Sequence, residues 1–212
     1  MKTAIIGLGN IGATLARNLT AGGAPVIVAD KTGEKAHSLA RELGASVTSM
    51  SIADAIGQAD TIVLAVYFEA IKELLVTYRS QFAGKIIVDP SNPIAPDGQG
   101  GFRKTIAPEQ SSGQLLAKLI PHDAELVKAF GTLGAASLQS AAHRQPEPAV
   151  LFYASDYPEA SRAVAKLIVA SGYAPLAIGG IDQSIRIEVG GDLHEFGKLG
   201  KPVSAQEATA LV

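Results

Sequence analysis

The feature that most constrains the fold is a glycine-rich run near the start of the chain: Gly7-Leu8-Gly9-Asn10-Ile11-Gly12. An apolar segment typical of a buried strand precedes it, and a helical pattern follows it. In such a βαβ setting Gly7 permits the tight turn, and Gly9 lets the main chain approach a pyrophosphate. Gly12 allows the helix to pack closely on the strand. The alternative is a glycine turn without a ligand, but the context favours binding of a nicotinamide or flavin dinucleotide.

The end of the next predicted strand, Pro25–Asp30, bears on the choice of dinucleotide. Asp30 is placed to accept the ribose hydroxyls of NAD and to repel the 2′-phosphate of NADP. Lys31 and Lys35 can face that phosphate, and Thr32 can donate to it. We therefore expect NAD(H) to be accepted, with at most a modest preference between the two cofactors.

Apolar runs alternate with helical patterns along most of the chain. The predicted strands are Thr3–Leu8, Pro25–Asp30, Ala45–Ser49, Asp60–Val66, Lys85–Asp89, Glu125–Phe130, Ala149–Ser155 and Tyr173–Ile178. The predicted helices are Asn10–Ala21, Glu34–Leu43, Ile52–Ile56, Phe68–Phe82, Gly134–Ala142 and Pro158–Ser171. Most strands lack polar alternation, which indicates a parallel sheet covered on both faces. We predict a doubly wound, Rossmann-type α/β fold with a mostly parallel sheet and a small C-terminal extension. Residues 1–120 would form the dinucleotide-binding core, and residues 121–212 an acceptor-side lobe packed on the same sheet.

Ligands of open α/β sheets lie just beyond the carboxyl ends of the strands. Val66 and Tyr67 end one predicted strand, and Ser91, Asn92 and Pro93 follow the next one. We expect both groups to line the nicotinamide half of the site, although Asn92 could instead be an ordinary residue of a turn before proline. Residues 89–113 are rich in Pro, Gly and Ser and show neither the apolar period of a helix nor that of a strand. This composition suits a binding loop, a lid or a disordered insertion.

Composition excludes several classes of protein. The net charge is −2 without a long run of one sign, which argues against nucleic-acid and membrane-surface partners. The chain has no cysteine, so disulfides, cysteine zinc sites and thiol nucleophiles are excluded. It has no apolar run of bilayer-spanning length, and a strand pattern starts at once. We therefore expect a cytoplasmic protein.

No catalytic constellation is evident. His122, His143 and His194 are scattered, and each is more simply a surface or packing residue. His194 is the best exception, because it lies in a Gly-rich tail that could fold over the site. We predict no metal site, since Asp192, His194 and Glu195 form a lone loop cluster without a fourth ligand.

Four stretches resemble the coenzyme F420-dependent NADP oxidoreductases, and the same module is similar to the cytoplasmic domain of the STEAP metalloreductases. They are "GLGNIGATLARNL", "VDPSNPI", "VKAFGTLGAASL" and "GGDLHEFGKLGKPVS". The resemblance implies hydride transfer between NAD(P)(H) and a flavin or deazaflavin ring such as F420. It assigns Gly7, Leu8, Gly9, Asn10 and Ile11 to the pyrophosphate loop, Ser91, Asn92 and Pro93 to the nicotinamide side, and Phe130, Thr132 and Leu133 to the border of the second substrate.

The sequence departs from this family in two places. Gly131 stands where relatives usually carry Asn, which bears on F420 use. Asp30-Lys31-Thr32 stands where many have Ser-Arg, which bears on NADP preference.

Two alternatives remain open: a reductase of a small carbonyl or imine substrate, and a dinucleotide sensor without turnover. The apolar helix around Leu133 to Leu138 carries few charges, so we also expect a homodimer.

Overall fold

The computed structural model describes residues 1–212 and contains ten strands and eight α-helices. The strands are β1 (Thr3–Ile6), β2 (Val26–Ala29), β3 (Val47–Ser49), β4 (Thr61–Leu64), β5 (Ile86–Asp89), β6 (Ile94–Pro96), β7 (Phe102–Lys104), β8 (Glu125–Lys128), β9 (Val150–Tyr153) and β10 (Ala174–Ala177). The helices are α1 (Asn10–Ala21), α2 (Glu34–Leu43), α3 (Ile52–Gln58), α4 (Phe68–Thr77), α5 (Ser112–Ala117), α6 (Ala135–Ser140), α7 (Pro158–Ala170) and α8 (Ala205–Thr209). None of the helices is long and apolar enough to cross a membrane.

Six strands form one parallel sheet in the order β3-β2-β1-β4-β5-β8. The chain runs outward from β1 to β3, then returns to the other side of β1 at β4. The predicted doubly wound, Rossmann-type α/β fold is therefore confirmed. The return creates a switch point between β1 and β4, and the crevice at such a point is where dinucleotides bind in this fold.

Both faces of the sheet are buried, as the unbroken apolar strands require. One face presents residues such as Ile5 and Val63 to α1, α6 and α7. The other presents residues such as Ile6 and Leu64 to α3, α4 and α5. Alternate residues of one strand thus enter opposite cores, because successive side chains point to opposite faces.

Residues 121–212 are divided between the main sheet and a smaller one. β8 lies at the edge of the main sheet, whereas β9 and β10 pair with each other in parallel. The two sheets meet at Lys128 and Ala154, whose backbone groups exchange hydrogen bonds of 2.9 and 3.0 Å. Leu151 and Val164 share a core with Ile5, so this part of the chain packs on the main sheet.

The segment 89–113 differs from the aperiodic loop suggested by its composition. It contains an antiparallel hairpin of β6 and β7 and the start of α5. Each hairpin strand has three residues, too few to give a period. The turn is held by Asp97, whose Oδ1 accepts the N–H groups of Gln99 and Gly101. Short strands closed by a side chain leave little trace in a hydrophobic pattern.

Candidate functional site

The glycine loop connects β1 to α1 at the carboxyl edge of the sheet. Gly7 has φ +94°, and a Cβ there would lie 2.3 Å from Val66 Cγ1. A Cβ on Gly12 would lie 1.9 Å from the carbonyl oxygen of Gly7. By contrast, a Cβ on Gly9 would meet nothing within 4 Å. The first and third glycines therefore let the protein pack against itself, while the second faces open space, as close approach of a ligand requires.

The helix that follows presents its N-terminus to this open space. Ala13 is the first residue to donate back into α1, to the Gly9 carbonyl at 3.0 Å. The N–H groups before it have no partner within the helix. No acidic residue lies in the first turn, so no side chain there offsets the positive end of the helix dipole. This end of α1 is suited to a phosphate group.

A cleft of about 350 Å³ begins at the glycine loop. Leu8, Gly9 and Asn10 line one side, and the first residues of α6 line another. Lys35 also borders this cleft, which places its ammonium group where it can attract a bound phosphate. Lys31 and Thr32 are exposed in the turn before α2. The structure thus brings the predicted pyrophosphate residues and Lys35 together.

Asp30 has a role that the sequence did not suggest. Its Oδ1 accepts the N–H of Ala36 at 2.8 Å, and its Oδ2 accepts the Thr32 hydroxyl at 3.2 Å. The N-cap of α2 is Gly33, which has no side chain to cap the helix. Asp30 supplies the missing cap. Each carboxylate oxygen retains a further lone pair for a ribose hydroxyl.

The residues after β4 lie in two different environments. Val66 lies against Gly7 and so supports the glycine loop. Tyr67 is 85% exposed and forms the N-cap of α4. Its ring is therefore available to a ligand at the carboxyl edge, whereas Val66 acts through the loop.

The residues after β5 are tied into the protein. The Ser91 N–H donates to Asp89 Oδ1 at 2.8 Å. Asn92 Nδ2 donates to the Gly131 carbonyl at 3.0 Å, and Asn92 Oδ1 accepts the Val189 N–H at 2.8 Å. Pro93 is buried beside them. Both ends of the Asn92 amide are engaged, so this side chain holds three segments together.

The structure corrects the expectation for Phe130 and Leu133. Their side chains are 0% and 3% exposed and belong to the main core, so they do not face a second substrate. Phe130, two residues beyond the end of β8, has φ +65°, an outlying conformation for a bulky residue. A Cβ on Gly131 would then lie 2.6 Å from the Pro90 carbonyl oxygen. Glycine at 131 therefore lets the two loops approach closely.

Two buried hydroxyls in these loops have no hydrogen-bond partner, Ser91 Oγ and Thr132 Oγ1. Such groups are uncommon in folded proteins, because each unpaired polar atom is costly. They occur on neighbouring loops at the carboxyl edge of the sheet, and both oxygens are closed to solvent, so a ligand can reach them only if these loops move. The open end of the site, at Gly9 and the N-terminus of α1, is the part that fits the phosphates of a dinucleotide.

The C-terminal tail, residues 190–212, is hydrogen-bonded to these loops. His194 lies in this tail but is buried, which corrects the expectation that it faces a second substrate. His194 is 1% exposed, and its Nδ1 accepts the Phe196 N–H at 2.9 Å. Burial lowers the pKa of His194 from 6.5 to about 4, so the ring is neutral at physiological pH. Glu195 turns away to accept the Gly134 N–H, and Asp192 pairs with Arg186. These acidic groups do not converge with His194 on one point.

Sequence reasoning missed a buried ionic cluster next to the site. Lys128 Nζ donates to Asp89 Oδ2 at 2.7 Å and to Ser112 Oγ at 2.8 Å. Glu188 Oε1 lies 3.9 Å from the same ammonium group and accepts the Ser112 hydroxyl at 2.8 Å. The signal was present in "ELVKAF", since a lysine within a buried strand requires a carboxylate partner. Asp89, at the end of the adjacent strand, was the available candidate.

The fold and this crevice define the chain as a dinucleotide-binding protein of the Rossmann class. A family model described as NADP oxidoreductase, coenzyme F420-dependent, matches residues 2–93. The chain is 35% identical to a hypothetical protein, SMa0349 from Sinorhizobium meliloti, whose crystal structure superimposes with a TM-score of 0.82. That match covers 92% of this chain and 93% of the other. Residues 2–93 thus match the family of coenzyme F420-dependent NADP oxidoreductases.

Two further proteins are similar over most of this chain. The Metalloreductase STEAP3 of Rattus norvegicus is 31% identical over 187 residues, covering 88% of this chain. The chain spans only 36% of the length of that metalloreductase. The F420-dependent NADP reductase of Methanothermobacter thermautotrophicus is 28% identical over 199 residues, covering 89% of this chain and 85% of the reductase. The resemblance found in the sequence is thus confirmed.

Proposed function

We propose that this protein binds NADP(H) or NAD(H) across the carboxyl edge of its sheet and exchanges a hydride with a planar flavin-like or deazaflavin-like partner. The observation that carries the proposal is the open space at Gly9, in front of the N-terminus of α1. Gly9 leaves room for a pyrophosphate, and Lys35 borders the cleft that begins there. The match of residues 2–93 to a family model of NADP oxidoreductases supports the same cofactor.

The protein's contribution is binding and orientation. The N-terminus of α1 and Lys35 would hold the phosphates, and the Asp30 turn would meet the adenosine ribose. When bound, the nicotinamide ring supplies the hydride chemistry itself. The chain aligns that ring through the loops at residues 91–93 and 131–132 and limits the access of water. This division of labour agrees with a site in which His194 is buried and neutral.

The second substrate is expected to be flat and aromatic. Tyr67 and Phe196 are 85% and 57% exposed, although large aromatic side chains usually bury most of their surface. Tyr67 directly follows the end of β4, and Phe196 lies against Gly134 at the start of α6. Both therefore lie on segments that border the crevice, and aromatic rings favour stacking on other rings.

The test is to mix the protein with NADPH or NADH and, separately, F420, FMN and FAD, and to follow oxidation of the reduced nicotinamide. Turnover with one of these partners, lost in Gly9→Val, supports the proposal. Turnover only with small carbonyl or imine compounds would instead identify a substrate reductase. Tight binding with no turnover of any partner would identify a sensor.

A further inference from the structure

The buried cluster around Lys128 has no part in the proposed chemistry. It contains one ammonium group and two carboxylates, Asp89 and Glu188, all at most 1% exposed. Replacing such an ionic cluster by apolar residues is often neutral or stabilising, because desolvation offsets the attraction. Stability alone therefore gives little reason for the cluster. The hydrogen bonds that Lys128 makes suggest a role in positioning the neighbouring loop.

Lys128 fixes both main-chain groups of Ser91. The Ser91 carbonyl accepts a hydrogen bond directly from Lys128 Nζ. The Ser91 N–H donates to Asp89 Oδ1, and the other oxygen of that carboxylate accepts from Lys128 at 2.7 Å. The ion pair thus sets the orientation of the peptide groups on either side of Ser91. Asn92 and Pro93 follow directly, so their placement depends on it.

The same ammonium group also holds the far end of the hairpin segment. It donates to Ser112 Oγ at the start of α5, while the Ser91 carbonyl lies where the segment leaves β5. One atom therefore anchors the insertion both where it leaves the main sheet and where it returns.

We propose that Lys128 is a positioning residue for the nicotinamide half of the site, acting through Asp89 and the main chain of Ser91. The inference rests on the proposed function, because it assigns the 91–93 loop to the nicotinamide ring. The adenosine and phosphate half is formed by the glycine loop, Asp30 and Lys35, none of which is hydrogen-bonded to Lys128. Loss of Lys128 should therefore weaken only the contacts with the ring.

The experiment compares two probes by isothermal titration calorimetry: NADPH, and 2′-phospho-ADP-ribose, which lacks the nicotinamide ring. We expect Lys128→Met to bind NADPH about tenfold more weakly and to bind the fragment within about twofold of wild type. Lys85→Met is the matched control. Lys85 Nζ donates to the Ala59 carbonyl at 2.6 Å just before β5, at the opposite end of that strand. This variant should bind both probes as the wild type does.

Equal weakening of both probes in Lys128→Met, or no weakening of either, would overturn the inference while leaving the proposed function standing. If wild type binds neither probe, the same comparison is made with NADH and ADP-ribose, which lack the 2′-phosphate; a wild-type protein that binds none of the four would refute both. Should Lys128→Met fail to fold, because Asp89 and Glu188 are left unpaired, the variant Lys128→Met with Asp89→Asn and Glu188→Gln removes all three charges. The inference then requires that this triple variant bind NADPH more weakly than wild type but bind the fragment as wild type does.

Discussion

Oδ1 of Asn92 accepts the backbone N–H of Val189 at 2.8 Å, joining residues that are 97 positions apart in the chain. The Nδ2 of the same side chain donates to the Gly131 carbonyl at 3.0 Å. One half-buried amide thus links the loop after β5, the loop after β8 and the C-terminal part of the chain. A side chain that both donates and accepts is required here, and few residue types have that property.

Asn92→Asp should destabilise the protein by about 1–3 kcal/mol, because a carboxylate oxygen replaces the donor that faces the Gly131 carbonyl. The free energy of unfolding from urea titration measures this. Gln99→Glu makes the same amide-to-acid change on the exposed hairpin turn and should leave that free energy unchanged within about 0.5 kcal/mol. Equal stability of Asn92→Asp and wild type would show that the hydrogen bonds of the Asn92 side chain do not contribute to the free energy of unfolding.

Gly9→Val should abolish dinucleotide binding without disturbing the fold. The new side chain enters open space, so no protein contact is broken, but it occupies the approach to the pyrophosphate. Gly57→Val is the matched control, since Gly57 also faces open space but lies in α3, away from the glycine loop. Fluorescence titration with NADPH and a thermal melt of each variant give the answer. Retention of wild-type affinity by Gly9→Val would contradict the assignment of the loop.

Asp30→Asn should raise affinity for NADPH about fivefold and change affinity for NADH much less, because a negative charge near the 2′-phosphate is removed. The asparagine oxygen can still accept the Ala36 N–H, so the start of α2 is preserved. Asp60→Asn is a suitable control, because Asp60 accepts the Lys2 N–H beside the start of β4. If wild type binds NADPH about a hundredfold tighter than NADH, Lys31 and Lys35 outweigh Asp30.

His194 should make stability depend on pH. Its pKa is about 4 in the folded protein, because burial opposes the charged ring, against 6.5 ordinarily. Between these values the unfolded chain binds more protons, so the free energy of unfolding falls as the pH drops from about 6.5 to about 4. His194→Asn, whose oxygen can accept the Phe196 N–H, should reduce that fall by about 2–3 kcal/mol. Urea titrations across this pH range measure the difference.

The exposed His122 provides the comparison, since His122→Asn should retain the pH dependence of wild type. A His194→Asn protein whose stability falls with pH as steeply as that of wild type would show that this ring does not contribute to the acid sensitivity.

Much of the fold was predictable because its main signals are local. The bounds of α1 and α2 agree with the sequence prediction, since apolar periodicity and flanking glycines mark their ends. The hairpin of β6 and β7 was not predictable in this way. Its strands are three residues long, and its turn is stabilised by Asp97 rather than by an apolar pattern.

The site was less predictable, because local patterns do not show which way a side chain points. Phe130 follows an apolar strand at the correct edge, but its backbone has a positive φ and its ring is buried in the core. The apolar residues Leu133 and Leu138, which suggested an interface between two copies, are buried within the chain. A homodimer stays a prediction, to be checked by light scattering, but that helix no longer argues for it.

The hydrogen bonds from the C-terminal part of the chain to the site loops also have a consequence for folding during synthesis. Val189 and Glu195 reach back to Asn92 and Thr132, so the loops of the crevice gain these partners only after most of the chain has been synthesised. Contacts between residues so distant in sequence are slow to form. The sheet can assemble around β1 while the ribosome is still adding residues, whereas the crevice is completed last. A growing chain would therefore have its Rossmann core before it could hold a cofactor firmly.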